Sequence, residues 1–177
     1  MSIDLQQDYF ALFGLPRRFQ LDETALELAY HDLQGRVHPD RYAHLPDSEK
    51  RLSMQWATRV NEAFRTLRKP LTRATYLLEL CGVDAGLHTN TAMSPAFLME
   101  QMEWREGVEE ARSAGDADEL TQLHQRLRQH GREVFEELAR QFDEQQDYPG
   151  AAETVRRLMF MEKLQQEIDD ALEALET

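Results

Sequence analysis

Apolar residues recur at three- and four-residue intervals along almost the whole chain. Leu26, Ala29, Tyr30, Leu33 and Val37 form one helical stripe, and Trp56, Val60, Ala63, Phe64 and Leu67 form a second. A short apolar segment, Tyr9 to Phe13, comes before them and stops at Gly14-Leu15-Pro16. Asp22 is placed to cap the second helix, with Leu21 and Leu26 spaced as a hydrophobic staple. That helix runs to about Val37, although Gly35 inside it costs about 1 kcal/mol relative to alanine. Asp47 or Ser48 then caps a third helix reaching about Leu67, Pro70 interrupts, and a short apolar helix carries Leu71, Ala74, Tyr76, Leu77, Leu78 and Leu80.

Gly82 to Asn90 has two glycines and no periodicity, as a linker would. Beyond it, Ser94-Pro95 opens a helix to about Ala114, which Gly115 closes. Asp116 and Glu119 have capping-box spacing and open a helix with Leu120, Leu123, Leu127, Val134 and Leu138 on one face, fading near Gln145. A turn at Asp147-Tyr148-Pro149-Gly150 leads to a last helix with Val155, Leu158, Met161, Ile168, Leu172 and Leu175. The expected fold is all-α: a helical hairpin with flanking short helices in residues 1–82, a linker over 83–93, and an antiparallel three-helix bundle in 94–177.

Charge sharpens this division. Residues 1–82 balance 11 Lys and Arg with 11 Asp and Glu, whereas 83–177 hold 9 against 22 and so carry the whole net charge of −13. Such an acidic surface argues against nucleic acid as a partner. No apolar run approaches the roughly 20 residues of a membrane span. The polar start, Met1-Ser2-Ile3-Asp4, does not read as a secretory signal, and Cys81, the single cysteine, can form no internal disulfide. These features point to the cytoplasm.

Between the first two stripes stands His38-Pro39-Asp40, followed by Arg41. Proline bars its predecessor from helical geometry, so the helix ends at or before His38. The result is a rigid corner that displays an imidazole and a carboxylate side by side. The plainer alternative is a helix-terminal cation next to an ordinary turn residue.

The helix from Ser94 has more apolar surface than one core needs. Phe97, Trp104, Val108 and Ala111 form the stripe a bundle can absorb, while Leu98, Met99 and Met102 point elsewhere, bordered by Glu103, Arg105, Glu106 and Glu109. An apolar patch rimmed by charge fits an interaction site, and methionine suits an adaptable one. Packing against a neighbouring helix, or against the domain formed by residues 1–82, would account for the same residues equally well. Phe160, off the main stripe of the last helix, reads as core edge or patch.

The corner, its flanking helices, Asp8-Tyr9-Phe10-Ala11-Leu12-Phe13-Gly14-Leu15 and Asn61-Glu62-Ala63-Phe64-Arg65-Thr66-Leu67 together resemble the J-domain, the module that stimulates ATP hydrolysis by DnaK-class chaperones. Ala96-Phe97-Leu98-Met99-Glu100-Gln101, Arg105-Glu106, Ala152 to Leu158, Leu67-Arg68-Lys69-Pro70-Leu71 and Arg73 to Leu78 extend the resemblance over nearly the whole chain, to the HscB family of iron–sulfur co-chaperones. The resemblance implies a protein that binds the cluster scaffold IscU, delivers it to the DnaK-class chaperone HscA and stimulates its ATPase. It implies chaperone contacts at Arg36, His38, Pro39, Asp40 and Arg41. It implies scaffold contacts at Leu98, Met99, Met102, Glu103, Arg105, Glu106 and Phe160. No cofactor or resident metal is implied, and the protein is expected not to be an enzyme. One departure concerns the second helix, usually strongly basic in J-domains. Here it carries Glu23, Glu27 and Asp32, with Arg36 its one Lys or Arg. Electrostatic steering toward the chaperone is therefore weak and rests on Arg36 and Arg41.

Three other readings compete. Acid–base catalysis by His38 and Asp40 lacks any accompanying nucleophile motif or phosphate loop. Metal binding by His31, His38, His44 and Cys81 lacks a ligand spacing. A J-domain protein serving a different client remains the nearest alternative.

Overall fold

The computed structural model describes residues 4, 6–86 and 93–176, and among these the only regular structure is helical. Contacts divide the chain into two compact units, Met1–Leu77 and Leu78–Thr177.

The first unit is built around a helical hairpin. The short helix α1, Tyr9–Leu12, starts at Asp8, whose carboxylate accepts the Ala11 N–H at 2.9 Å and the Arg17 guanidinium at 2.6 Å. Burial pushes the Asp8 carboxyl up, but these bonds outweigh it and hold the group below its ordinary range. A lowered carboxylate pKa adds stability above the unfolded value and loses it as pH falls through the folded one. Asp8→Ala should therefore cost about 1 kcal/mol at neutral pH, with the difference from wild type shrinking below about pH 4. Urea unfolding at the two pH values measures this.

Helices α2, Glu23–Val37, and α3, Asp47–Arg68, pair antiparallel. Asp22 caps α2 by accepting the Ala25 N–H at 3.0 Å. α2 buries Leu26 and Val37, and α3 buries Trp56, Val60, Ala63 and Leu67. Phe64 is only half-buried and stacks on Tyr30 at 4.0 Å, while the Tyr30 hydroxyl donates to Asn61. The start of α3 differs from expectation: Pro46 occupies the cap position, and Asp47 is already helical with no side-chain cap bond. Pro70 opens α4, Pro70–Leu80, rather than merely interrupting, because the first helical turn needs no N–H donor from it. Tyr76 of α4 stacks on Tyr9 at 4.5 Å and its hydroxyl accepts the Tyr9 N–H.

The second unit holds a three-helix bundle: α5, Pro95–Ala114, α6, Ala117–Arg140, and α7, Tyr148–Glu176. α6 runs against the other two, so α5 and α7 are parallel, with Phe97 near Phe160 and Gly115 near Leu175. Leu120, Leu127, Leu138, Val155, Leu164 and Ile168 are among its fully buried side chains. Ser94 caps α5 by accepting the Phe97 N–H, and Gly115, at φ +64°, ends it in the left-handed geometry that glycine tolerates. Asp116 caps α6 through the Glu119 N–H at 3.0 Å, but the box is not reciprocal. The Asp116 N–H bonds the Ala111 carbonyl instead, and the Glu119 carboxylate pairs with Arg126. α6 ends in a π turn over Gln141–Gln145. Asp147 to Gly150, expected as a free turn, is the start of α7, with Asp147 accepting the Gly150 N–H. A Cβ at residue 150 would run into that capping carboxylate.

Of the stretch expected as linker, residues 87–92 lie outside those described. Ala85 is buried within the second unit, and its carbonyl accepts from Arg156 at 3.1 Å. Leu175, expected in the core stripe of the last helix, is 44% exposed. It lies beside Gly115, where α5 has ended, so there is less helix surface to cover it.

Candidate functional site

The corner at residues 38–42 is shaped by the end of α2. His38 leaves the helix with extended geometry, φ −58° and ψ 129°, as a residue before proline must. Pro39 to Tyr42 then form a single 3₁₀ turn. His38 caps that turn: its Nδ1 lies 3.3 Å from the Asp40 N–H and 3.5 Å from the Asp40 carboxylate. With a neutral ring, Nδ1 accepts from the backbone and Nε2–H is left as a donor on an exposed side chain. His38, Pro39, Asp40 and Arg41 are all exposed, and the Asp40 carboxylate is 92% exposed. Arg36, by contrast, is paired with Asp32 at 2.9 Å, which weakens further the positive field that α2 can offer.

Three contacts brace the corner. The Ser53 hydroxyl, fully buried, donates to the Val37 carbonyl at 3.0 Å. The Tyr42 hydroxyl donates to the Arg36 carbonyl at 3.2 Å, and its ring meets Trp56 edge-on. Together they satisfy last-turn carbonyls of α2 that have no helical partner. Sequence reasoning missed Ser53. The signal was a small hydroxyl one turn before Trp56 on the apolar face of α3, where a polar group must find a partner. Ser53→Ala should destabilise the protein by about 1–3 kcal/mol and reduce chaperone stimulation, because the corner loses its anchor to α3. Urea unfolding and ATPase assays on the same preparation measure both.

In the second unit, Phe97, Val108 and Ala111 are buried and Trp104 is half-buried, whereas Leu98, Met99 and Met102 are 45%, 62% and 70% exposed. The neighbour-packing alternative does not hold for these three within the unit. Phe160 of α7 joins the patch from the side. It is half-buried, meets Phe97 edge-on at 6.1 Å, and has the Arg105 guanidinium over its ring at 5.4 Å. Arg105 also reaches Glu167 at 3.9 Å, so it covers Phe160 and ties α5 to α7. Glu103 and Glu106 are exposed at the patch border. On the helix face behind the patch, Glu100 contacts His130 of α6 at 2.6 Å and Arg157 of α7 at 3.6 Å, and Arg157 also reaches Glu137. This half-buried network joins all three helices and keeps α5 in register beneath the patch.

Residues 93–169 match the family model described as the HSCB C-terminal oligomerisation domain. Over the full length of both sequences the chain is 81% identical to a protein of Aromatoleum aromaticum named co-chaperone protein HscB homolog. The chain belongs to the HscB co-chaperone family. Chaperone HscB from Vibrio cholerae is similar in structure, with a TM-score of 0.82 at 35% identity over 96% of this chain and 99% of that one. So is human co-chaperone HscB, with a TM-score of 0.87 at 30% identity over 96% of this chain and 84% of that one. The HscB fold, an N-terminal J-domain followed by a C-terminal helical bundle, is the fold seen here. A J-domain co-chaperone works with a chaperone partner, and the corner at His38 lies in that J-domain. Among the described residues no helix is long and apolar enough to cross a membrane, and no three His, Cys, Asp or Glu side chains are placed to hold a metal ion. Cys81 is exposed.

Proposed function

We propose that this protein is a cytoplasmic co-chaperone that binds the iron–sulfur scaffold IscU through the patch on α5 and α7. It presents IscU to the DnaK-class chaperone HscA and stimulates HscA's ATPase through the His38-Pro39-Asp40 corner. The observation that carries this reading is that one chain holds both surfaces ready-made: an exposed, braced polar corner, and an exposed apolar patch rimmed by Glu103, Arg105 and Glu106. The corner does no bond chemistry. Inserted into a groove of the chaperone, its imidazole and carboxylate bond groups that control the chaperone's conformational state, so binding there is coupled to hydrolysis elsewhere. The patch supplies the client, and one molecule bound to both raises the local concentration of client at the chaperone. Membership of the HscB co-chaperone family and the match over residues 93–169 support the same reading.

Single-turnover ATP hydrolysis by HscA, with and without this protein and with and without IscU, tests it. Stimulation that rises synergistically with IscU is expected. Stimulation without synergy would leave the J-domain role intact and assign a different client.

A further inference from the structure

We propose that Met99 and Met102 form a reversible redox modification site: a hydroperoxide converts their thioethers to sulfoxides and so switches off the client-binding patch. This rests on the reading that the client sits on that patch. Among the described residues the exposed methionines are Met54, Met99 and Met102, at 61%, 62% and 70%, and the last two stand on the patch. They are three residues apart and so neighbour each other within one turn of α5. The other methionines of the bundle are withdrawn from solvent. Met161 is 6% exposed and packs near Gly131 of α6. Met93 and Met159 are half-buried, and the Met93 sulfur accepts the Gln101 side-chain amide at 3.6 Å.

Exposure decides reactivity here, because a thioether, unlike a thiol, has no proton to lose and needs no activating base. The sulfur lone pair attacks one oxygen of the peroxide. An S–O bond forms, the O–O bond breaks, and the second oxygen leaves as water. Sulfur gives up two electrons and the peroxide takes them. The product carries a strong acceptor oxygen where an apolar side chain stood. On the free protein water solvates that oxygen, so the fold is indifferent to it. Against a client it is buried and needs a donor. Of the border residues, Glu103 and Glu106 are acceptors, and Arg105 is held over Phe160 and toward Glu167.

The test uses the full chain carrying Cys81→Ser and Met54→Leu, which removes the single thiol and the exposed methionine of the first unit. Hydrogen peroxide is added, peptide mass spectrometry locates the sulfoxides, and calorimetry gives the affinity for IscU before and after. Sulfoxides at Met99 and Met102 should precede any at Met161. Binding should then fall at least about ten-fold, with urea unfolding unchanged, and methionine sulfoxide reductases should restore it. With Met99→Leu and Met102→Leu added, which keep the side-chain volume without the sulfur, treated and untreated protein should bind alike. Oxidation of Met161 as early as the patch pair, an unchanged Kd after complete oxidation of both, or an equal loss in the leucine variant overturns the switch. Leu98→Ala with Met102→Ala separates the two readings. If that variant loses binding while the oxidised protein does not, the patch stands without the switch. If it binds fully, the patch reading falls and the switch with it.

Discussion

Asp40→Asn is expected to weaken stimulation of HscA's ATPase at least about 30-fold while leaving this protein folded. The carboxylate is 92% exposed, so the folded state hardly depends on its charge, and stability should stay within about 0.5 kcal/mol of wild type. The bond that shapes the corner uses the Asp40 backbone N–H and His38 Nδ1, and asparagine keeps it. What the variant loses is an anion presented at a fixed place beside an imidazole. When such an anion is buried against a partner, removing it costs about 2–5 kcal/mol, at least about 30-fold in the concentration that gives half-maximal stimulation. Single-turnover hydrolysis over a range of co-chaperone concentrations measures this. Wild-type stimulation by Asp40→Asn would mean that the corner is only a helix terminus.

Leu98→Ala combined with Met102→Ala should weaken IscU binding at least about 100-fold. Each truncation removes apolar surface that goes from water into the interface, at about 0.8 kcal/mol per methylene, and together they exceed about 3 kcal/mol. Folding should not suffer, since the two side chains are 45% and 70% exposed in the free protein. The double variant should keep stimulation of HscA in the absence of IscU and should lose the synergy expected when IscU is added. That separation distinguishes a binding defect from a damaged J-domain. Calorimetric titration with IscU gives the affinity, and an unchanged Kd would remove the patch from the function.

Much of this molecule is legible from residue spacing because helices report themselves locally. Asp22, Ser94, Asp116 and Gly115 cap where their chemistry requires. The stripe from Leu120 to Leu138 is buried throughout. Local signals failed where two neighbouring residues competed for one role. Pro46, rather than Asp47, took the cap position of α3, and Asp147 began a helix where Pro149 and Gly150 suggested a turn. Proline is compatible with a first helical turn as well as with a loop, and spacing alone does not separate the two.

The two candidate surfaces divide along the same line. His38-Pro39-Asp40 is recognisable as letters because proline dictates its own geometry and that of the residue before it. The exposure of Leu98, Met99 and Met102 was not, since a second apolar face on a helix is equally consistent with a packed neighbour. Nor could spacing show that Ser53 ties down the end of α2, that Arg105 lies over Phe160 between α5 and α7, or that Leu175 leaves the core. Helix positions, caps and the rigid corner follow from interactions among residues a few places apart, which the sequence states directly. Which apolar residues stay in water, and which polar ones meet, depends on contacts between residues distant in the chain, and those exist only once the helices have packed.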